Sequence, residues 1–216
     1  MWARALSAAL LIAATFCAAS AAHAADHLTP CTDTLSDYYA QVETLMHQAA
    51  PDEALWKVTV FPPSRPEWSV RATRVGEGYE LSVVRFDRSF WDSGWTWTKR
   101  EGMRRDPSIA KARPHAITRK ISARLFAELD ARIRQSIAAA RPNENILDDV
   151  VVDSTEFRFE AAGPTCGTVR TFDENGKIDG LVNIVLALCN PPGGEDTILR
   201  MLDALDTPKP SARLTR

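Results

Sequence analysis

The chain has 216 residues, and its 26 Lys and Arg residues nearly balance its 28 Asp and Glu residues, for a formal net charge of −2 at pH 7. This balance argues against a general nucleic-acid-binding protein, because such proteins carry a clear excess of basic side chains. The length suits one well-packed domain or two small ones.

Residues 1–24 have the pattern of a secretory signal peptide. Arg4 gives the segment its positive start, residues 5–19 form an uncharged run rich in Ala and Leu, and Ala22-His23-Ala24 fits a small-x-small cleavage site. The apolar run is short, whereas a membrane-spanning helix needs about 20 strongly apolar residues. We therefore expect a periplasmic or secreted protein with no membrane span after cleavage. An uncleaved N-terminal anchor is the alternative.

Three cysteines remain after the expected cleavage, namely Cys31, Cys166 and Cys189. In an exported protein, two of them are expected to form a disulfide. The sequence leaves all three pairings open, and we favour Cys166–Cys189 because these two cysteines bracket a compact segment. Such a loop would stabilise the fold by roughly 3 kcal/mol in the chain-entropy model.

The first predicted element after the leader is a helix. Thr32 or Asp33 can cap its start, it continues to about His47, and Pro51 lies beyond its end. Its expected buried stripe recurs at helical spacing and consists of Leu35, Tyr38, Val42 and Leu45.

A tryptophan-rich stretch at residues 56–100 follows and is expected to form the centre of the core. Apolar and polar residues alternate there, which is the period of a half-buried strand. The alternation predicts a meander of about four antiparallel strands, with a hairpin turn at Gly76-Glu77-Gly78. The predicted strands are residues 56–60, 68–73, 79–86 and 95–98.

Residues 101–114 predict a loop on the rim of the sheet, and a long amphipathic helix is predicted from about Ala116 to Ala140. Apolar residues repeat every four positions in this helix, and Pro142 follows its end. The expected buried stripe is Ile117, Ile121, Leu125, Leu129, Ile133 and Ile137.

The last third of the chain predicts a second β segment and terminal helices. Residues 157–161 and 168–172 alternate like strands, and residues 196–205 form an amphipathic helix pattern. Residues 181–189 fit either a buried helix or a central strand, and we favour a helix because Gly180 and Asn183 would weaken a strand there.

These elements predict an α+β fold, in which the long helix and the terminal helices pack on an antiparallel sheet. We expect a single domain over residues 25–206, followed by a frayed tail at residues 207–216.

Charge is unevenly distributed along the predicted domain. Residues 99–120 are predominantly basic and residues 144–160 predominantly acidic. The two segments are either solvated faces that partly neutralise one another, or the basic one is a rim that binds an anion or a partner.

The only dense group of candidate catalytic residues lies in the acidic segment. Glu156 and Glu160 would share a strand face about 13 Å apart, which is too far for either glycosidase geometry, so a partner would have to come from another strand. The candidate carboxylates are Asp148, Asp149, Asp153, Glu156 and Glu160. The remaining histidines lack metal-ligand spacing and there is no C-x-x-C, so no metal or cofactor is expected.

A candidate binding surface combines tryptophan with arginine. Trp95 and Trp97 share a face of the predicted fourth strand, and Arg100 follows at its edge. Flat aromatic rings beside arginine suit sugar stacking or a protein-binding hot spot. The alternative is that tryptophans at this spacing simply fill the core.

These observations predict a non-catalytic, exported protein-binding or accessory module of the cell envelope, whose partner is another envelope protein. One alternative is a small hydrolase that acts on cell-wall polymer through carboxylates of the 148–160 segment. A further alternative is a carrier for a small ligand, with a pocket between the sheet and the long helix. Lining of this pocket by Arg71, Arg85 and Arg100 would favour an anion.

Overall fold

The computed structural model describes eight stretches of the chain: residues 27–31, 36–99, 102–105, 111–142, 154–162, 165–171, 177–189 and 194–206. Several predicted features lie outside these stretches. They are the leader at 1–24, the tail at 207–216, and the candidate site residues Arg100, Asp148, Asp149 and Asp153.

The described strands form one large sheet and one small ribbon. They are β1 (Thr29–Pro30), β2 (Ala54–Phe61), β3 (Trp68–Val75), β4 (Gly78–Phe86), β5 (Trp95–Thr98), β6 (Gly102–Arg105), β7 (Pro114–Ile121), β8 (Thr155–Ala161) and β9 (Cys166–Thr171). Seven of them make a sheet in the order β1-β9-β8-β2-β3-β4-β7, while β5 and β6 pair separately. Every pair is antiparallel.

Helices cover both faces of the large sheet. They are α1 (Ser36–Ala49), α2 (Phe90–Ser93), α3 (Ala123–Ala138), α4 (Lys177–Cys189) and α5 (Glu195–Asp206). The last three bury apolar side chains against one face, in a core that includes Trp56, Phe159 and Leu129. On the other face, α1 and α2 share an aromatic cluster with Phe61 and Phe86. The predicted α+β class with an antiparallel sheet is therefore confirmed.

Among the described helices, we find none with both the length and the apolar composition that crossing a membrane requires.

The predicted meander is correct for three strands and wrong for the fourth. β2, β3 and β4 pair in sequence, but Trp95–Thr98 pairs with Gly102–Arg105 in the ribbon. The strand beside β4 is β7. The short helix α2, capped by the Ser89 side chain, turns the chain away from the sheet before Trp95. Local alternation identifies a strand but not its neighbour, so the sequence did not reveal this insertion.

The long helix is shorter at its start than predicted, because its first predicted turns are the strand β7. Leu125, Leu129, Ile133 and Ile137 are buried along α3 as expected, but Ile117 lies on β7 and is 76% exposed. A spacing of four residues keeps one face in a strand as well as in a helix, so the apolar repeat runs through both elements. The break is marked by Ser122, whose Oγ accepts a hydrogen bond from Leu125 N at 3.1 Å.

The other helices are also present, although the predicted caps Thr32 and Asp33 and the predicted buried residue Leu35 lie outside the described residues. Residues 181–189 lie in α4, and α5 covers the predicted terminal helix. In α1 the buried residues are Tyr38, Tyr39, Val42 and Met46, whereas Leu45 is only partly buried.

The predicted Cys166–Cys189 pairing is wrong, although a disulfide is present: Cys31 bonds to Cys166, with 5.7 Å between their Cα atoms. β1 pairs with β9 and so brings Cys31 to the start of that strand. Cys189 ends α4 on the opposite face of the sheet, near β7, where the neighbouring Leu188 carbonyl accepts a hydrogen bond from Arg119. Closeness in sequence therefore gave the wrong partner.

Candidate functional site

A polar row crosses the sheet on the side that faces α1. Glu160, Lys57, Arg71, Ser82 and Thr118 lie directly opposite one another on β8, β2, β3, β4 and β7. Directly opposed residues share a face of an antiparallel sheet, so these five positions form one continuous line. The strand alternation in the sequence accounts for most of the row, because Glu160, Lys57, Arg71 and Ser82 each lie between two apolar residues.

Lys57 is at the centre of an ion-pair network on this row. Its Nζ contacts Glu43 of α1 and lies 3.0 Å from Glu160 Oε2. Thr59 donates to Glu43 Oε1 at 2.6 Å, and Arg158 Nε donates to Glu160 Oε1 at 2.8 Å. The helix is thus joined to β2 and β8 through charged side chains, and Lys57 lies between two carboxylates.

A second carboxylate on β8 is held in a similar way. Glu156 accepts a hydrogen bond from the Tyr39 hydroxyl at 2.8 Å and pairs with Arg170 at 3.2 Å. Burial, followed by the charge of Glu156, raises the pKa of Tyr39 above the ordinary tyrosine value. The Arg158 guanidinium lies 5.2 Å from the centre of the Tyr39 ring, within cation–π range. Tyr39 therefore remains a hydrogen-bond donor to Glu156 at neutral pH.

These contacts bear directly on the two candidate catalytic carboxylates that the structure describes. Both oxygens of Glu156 and both oxygens of Glu160 already interact with hydrogen-bond donors or cations of the chain itself. A carboxylate that acts as a general acid or base needs an oxygen directed at substrate. The arrangement of these two residues is that of structural ion pairs.

A third carboxylate, Glu67, fixes the short helix α2. It is fully buried, accepts hydrogen bonds from the backbone N–H groups of Phe90 (2.7 Å) and Trp91 (2.9 Å), and also accepts one from the Tyr38 hydroxyl (2.7 Å). Glu67 lies in a connection between strands and belongs to no motif, so no sequence signal marks it. Its role is to orient the chain where the ribbon leaves the sheet.

A cavity of about 250 Å³ lies at the end of the polar row, beside the C-terminal end of α1. Arg71, Lys57 and Glu160 contribute charged side chains to it, and Trp56 also borders it. Arg71 is only 6% exposed and donates to the carbonyl oxygens of Ala50 and Asp52, the latter at 2.8 Å. This cavity contains one of the three arginines of the predicted ligand pocket.

The predicted arginine trio does not form one pocket in the described part of the chain. Arg85 lies opposite Trp68, on the sheet face away from α1, whereas Arg71 faces α1. Arg100 lies outside the described residues. The cavity at Arg71 also borders α1, not the long helix that we expected to form its wall.

The predicted tryptophan–arginine surface lies on the β5–β6 ribbon, which is inserted between the neighbouring strands β4 and β7. Trp95 is partly buried and packs edge-to-face against Trp91, with 5.8 Å between ring centres. Trp97 lies opposite Met103 in the ribbon register. Arg105 lies opposite Trp95, so basic residues of β6 flank the tryptophans along the backbone.

The outer edge of β7 is the longest open strand edge in the described structure. This eight-residue strand ends the sheet, and His115, Ala116, Ile117, Thr118 and Lys120 are all exposed. The opposite edge is the two-residue strand β1, which contains Pro30 and adjoins the disulfide. Short strands and proline protect a sheet edge against pairing with another chain, so of the two described edges of the large sheet the β7 edge is the one long enough to accept a strand.

Within the described ranges, no three His, Cys, Asp or Glu side chains are grouped as metal ligands. Compared with protein-family models, curated proteins and solved structures, the chain matches none of them.

Proposed function

We propose that this chain is an exported, non-catalytic module of the cell envelope that binds another protein by adding an extended partner segment to the β7 edge. The observation that carries this proposal is the open eight-residue edge with Ile117 76% exposed at its centre. An extended peptide that joins a sheet edge gains main-chain hydrogen bonds, and the side chains of the edge supply specificity.

The backbone pattern indicates which groups of β7 would bond the partner. Asp87 N–H donates to Arg113 C=O at 3.0 Å, immediately before the paired region of β4 and β7. In an antiparallel pair, positions that bond the neighbour alternate with positions that do not. Steps of two from Arg113 give His115, Ile117 and Arg119 as positions that bond β4. The positions between them, Ala116, Thr118 and Lys120, direct their N–H and C=O groups away from β4.

The charge of this edge favours an acidic partner segment. Lys111, Arg113, His115 and Lys120 are exposed along β7 and the residues that precede it. A strand that carries Asp or Glu would place negative charges opposite them, and opposite-charge pairs across strands are stabilising. Ile117 would contact an apolar side chain of the added strand.

The ribbon with Trp95 and Trp97 supplies the second part of the proposed surface. It leaves the sheet after β4 and returns before β7, so it borders the end of the edge at which β7 begins. Aromatic side chains next to arginines are typical of protein-binding hot spots.

The hydrolase alternative receives no support from Glu156 and Glu160, whose oxygens are engaged within the chain. It would require the carboxylates at 148, 149 and 153, which lie outside the described residues.

The test is affinity capture from an envelope extract with residues 25–216, followed by binding measurements with the Ala116→Pro variant. Proline at position 116 removes an outward N–H without breaking a bond to β4, and proline is tolerated at such edge positions. We expect the partner to bind the variant at least about tenfold more weakly, because a backbone hydrogen bond and the close approach of the strand are lost.

Ala116→Val is the matched control, since it keeps the N–H and favours an extended backbone, and it should bind like the unmodified chain. Both variants should unfold at nearly the same temperature as the parent. If Ala116→Pro captures the partner as well as Ala116→Val does, strand addition at β7 is wrong.

A further inference from the structure

Arg71 is a buried cation whose neighbours differ from those of the other buried charges on the α1 face. Lys57 lies between two carboxylates, but the hydrogen bonds described for Arg71 go to the carbonyl oxygens of Ala50 and Asp52. Its Nε is buried without a hydrogen-bond partner among the described residues. Buried charges are normally paired with an opposite charge, because desolvation strongly disfavours a lone ion.

The electrostatic surroundings do not fully compensate for this burial. Desolvation lowers the pKa of Arg71 below the ordinary arginine value, although Glu43 and Asp52 oppose that shift. The two carbonyls at the end of α1 supply partial negative charge only. An additional anion next to the guanidinium would therefore stabilise the charged side chain.

There is space for such an anion beside Arg71. The cavity of about 250 Å³ is bounded by the buried Trp56 on one side, while His47, Pro51 and Glu53 at its mouth are exposed to solvent. Typical small-molecule pockets have volumes of about 300–1,000 Å³, so an occupant of this cavity would be smaller than most ligands. The cavity is thus open to solvent and suited to a compact molecule.

We propose that this cavity binds a small molecule through an oxyanion group, a carboxylate or a phosphate, held by the Arg71 guanidinium. A guanidinium has five N–H donors, and the two carbonyl contacts leave donors for a further acceptor. Carboxylate and phosphate both match its planar donor geometry. Lys57 and Glu160 form an ion pair at 3.0 Å on the cavity wall, so they leave Arg71 as the cation that selects the ligand. This site is separate from the β7 edge and does not depend on the proposed partner.

The experiment is a titration of the chain with acetate, glycine and inorganic phosphate, followed by NMR of the arginine side chains. We expect the Arg71 Nε–H resonance to shift with a dissociation constant of about 1 mM, typical of one ionic contact in a small pocket. Arg85 is the matched internal control, because it lies one strand away on the opposite face, and its resonance should not move. A shift with acetate or glycine alone identifies a carboxylate site, and a shift with phosphate identifies a phosphate site.

Two variants test the site in different ways, one by removing the guanidinium and the other by filling the cavity. Arg71→Gln should weaken binding at least about tenfold, and Ala54→Phe should do the same by filling the cavity while leaving the guanidinium in place. Ala54 is partly exposed at the start of β2, so the larger side chain is tolerated there. The proposal is wrong if none of the three anions moves the Arg71 resonance at about 50 mM, far above the expected constant, or if Ala54→Phe binds as the parent does.

Discussion

Replacing Cys31 and Cys166 by serine should strongly destabilise the fold, whereas replacing Cys189 should not. The Cys31–Cys166 bond joins residues 135 positions apart. In the chain-entropy model, closing a loop of that length restricts the unfolded chain by about 5 kcal/mol. The bond also holds β1, which is only two residues long and would otherwise rely on few contacts with β9.

Packing around β1 adds to this expectation. Leu28 is fully buried next to β1, and its side chain fills the space that a Cβ on Gly167 would need, since such a Cβ would lie 2.8 Å from Leu28 Cδ1. The backbone carbonyl of Leu28 also accepts a hydrogen bond from Arg141 N at 2.9 Å. If β1 separates from β9, the Leu28 side chain becomes exposed and the core opens beside β9.

The measurement is guanidinium chloride unfolding of the oxidised parent, the double serine variant and Cys189→Ser. We expect the double variant to lose up to about 5 kcal/mol of unfolding free energy, and Cys189→Ser to lie within about 0.5 kcal/mol of the parent because its side chain is exposed. Peptide mapping without reductant should recover a peptide that links Cys31 to Cys166. Recovery of a link to Cys189, or an equal loss in Cys189→Ser, would refute the reasoning.

Two further predictions concern the Glu67 carboxylate and the Cys189 thiol. Glu67→Gln should destabilise the fold by about 2–3 kcal/mol in chemical denaturation, because the amide NH₂ would face an N–H group that now donates to the carboxylate. Tyr38→Phe removes a single donor to Glu67 and should destabilise the fold by about 1 kcal/mol. Although Cys189 is exposed at the end of α4, the protein around its thiol raises the pKa from 9.0 to about 11. The folded chain therefore keeps a proton that the unfolded chain loses between those pH values, and stability should fall as pH rises through that window. Iodoacetamide should label folded Cys189 at pH 8 more slowly than unfolded Cys189, and equal rates would contradict the raised pKa.

The sequence predicts most of the local structure because local structure depends on periodicity and capping. Three strands of the meander follow from alternation, and α3 and α5 follow from apolar stripes and their flanking breaks. For α4, periodicity left helix and strand open, and Gly180 and Asn183 favoured the helix that the structure has. The start of α3 was wrong because Ile117 and Ile121 continue a four-residue repeat that suits both a helix and a strand. Ser122, which caps α3, was the local signal that separates the two elements.

What the sequence could not provide was the pairing of distant segments. β7 lies beside β4 although the ribbon separates them in the chain, and β1 reaches β9 from the other end of the domain. The error in the disulfide had the same origin, since the distance in sequence between Cys166 and Cys189 gives no information about which sheet face each occupies.

The sequence likewise predicts some features of the candidate site and not others. Arg71 lies between Val70 and Ala72, so the alternation of its strand is enough to place it on the face away from them, where the structure has it. It could not show that Glu43 of α1 would approach Lys57, or that Glu67 would accept three hydrogen bonds, because these contacts join separate elements. Polar residues between apolar ones on β2, at Lys57 and Thr59, were the available signal that this face would carry a charged network.

The two faces of the sheet differ in chemistry, and this difference favours a binding role on the α1 side. The face against α3, α4 and α5 is filled by apolar packing except at its β7 end, where Ile117 is exposed. The α1 face contains a charged row, a buried guanidinium without a carboxylate contact among the described residues, and a cavity beside it. Well-packed apolar residues would satisfy the same space with less desolvation, so stability alone does not account for these charges. The polar row also ends at Thr118 on the open edge. A ligand at Arg71 and a strand added to β7 would therefore contact the same row of residues at two positions.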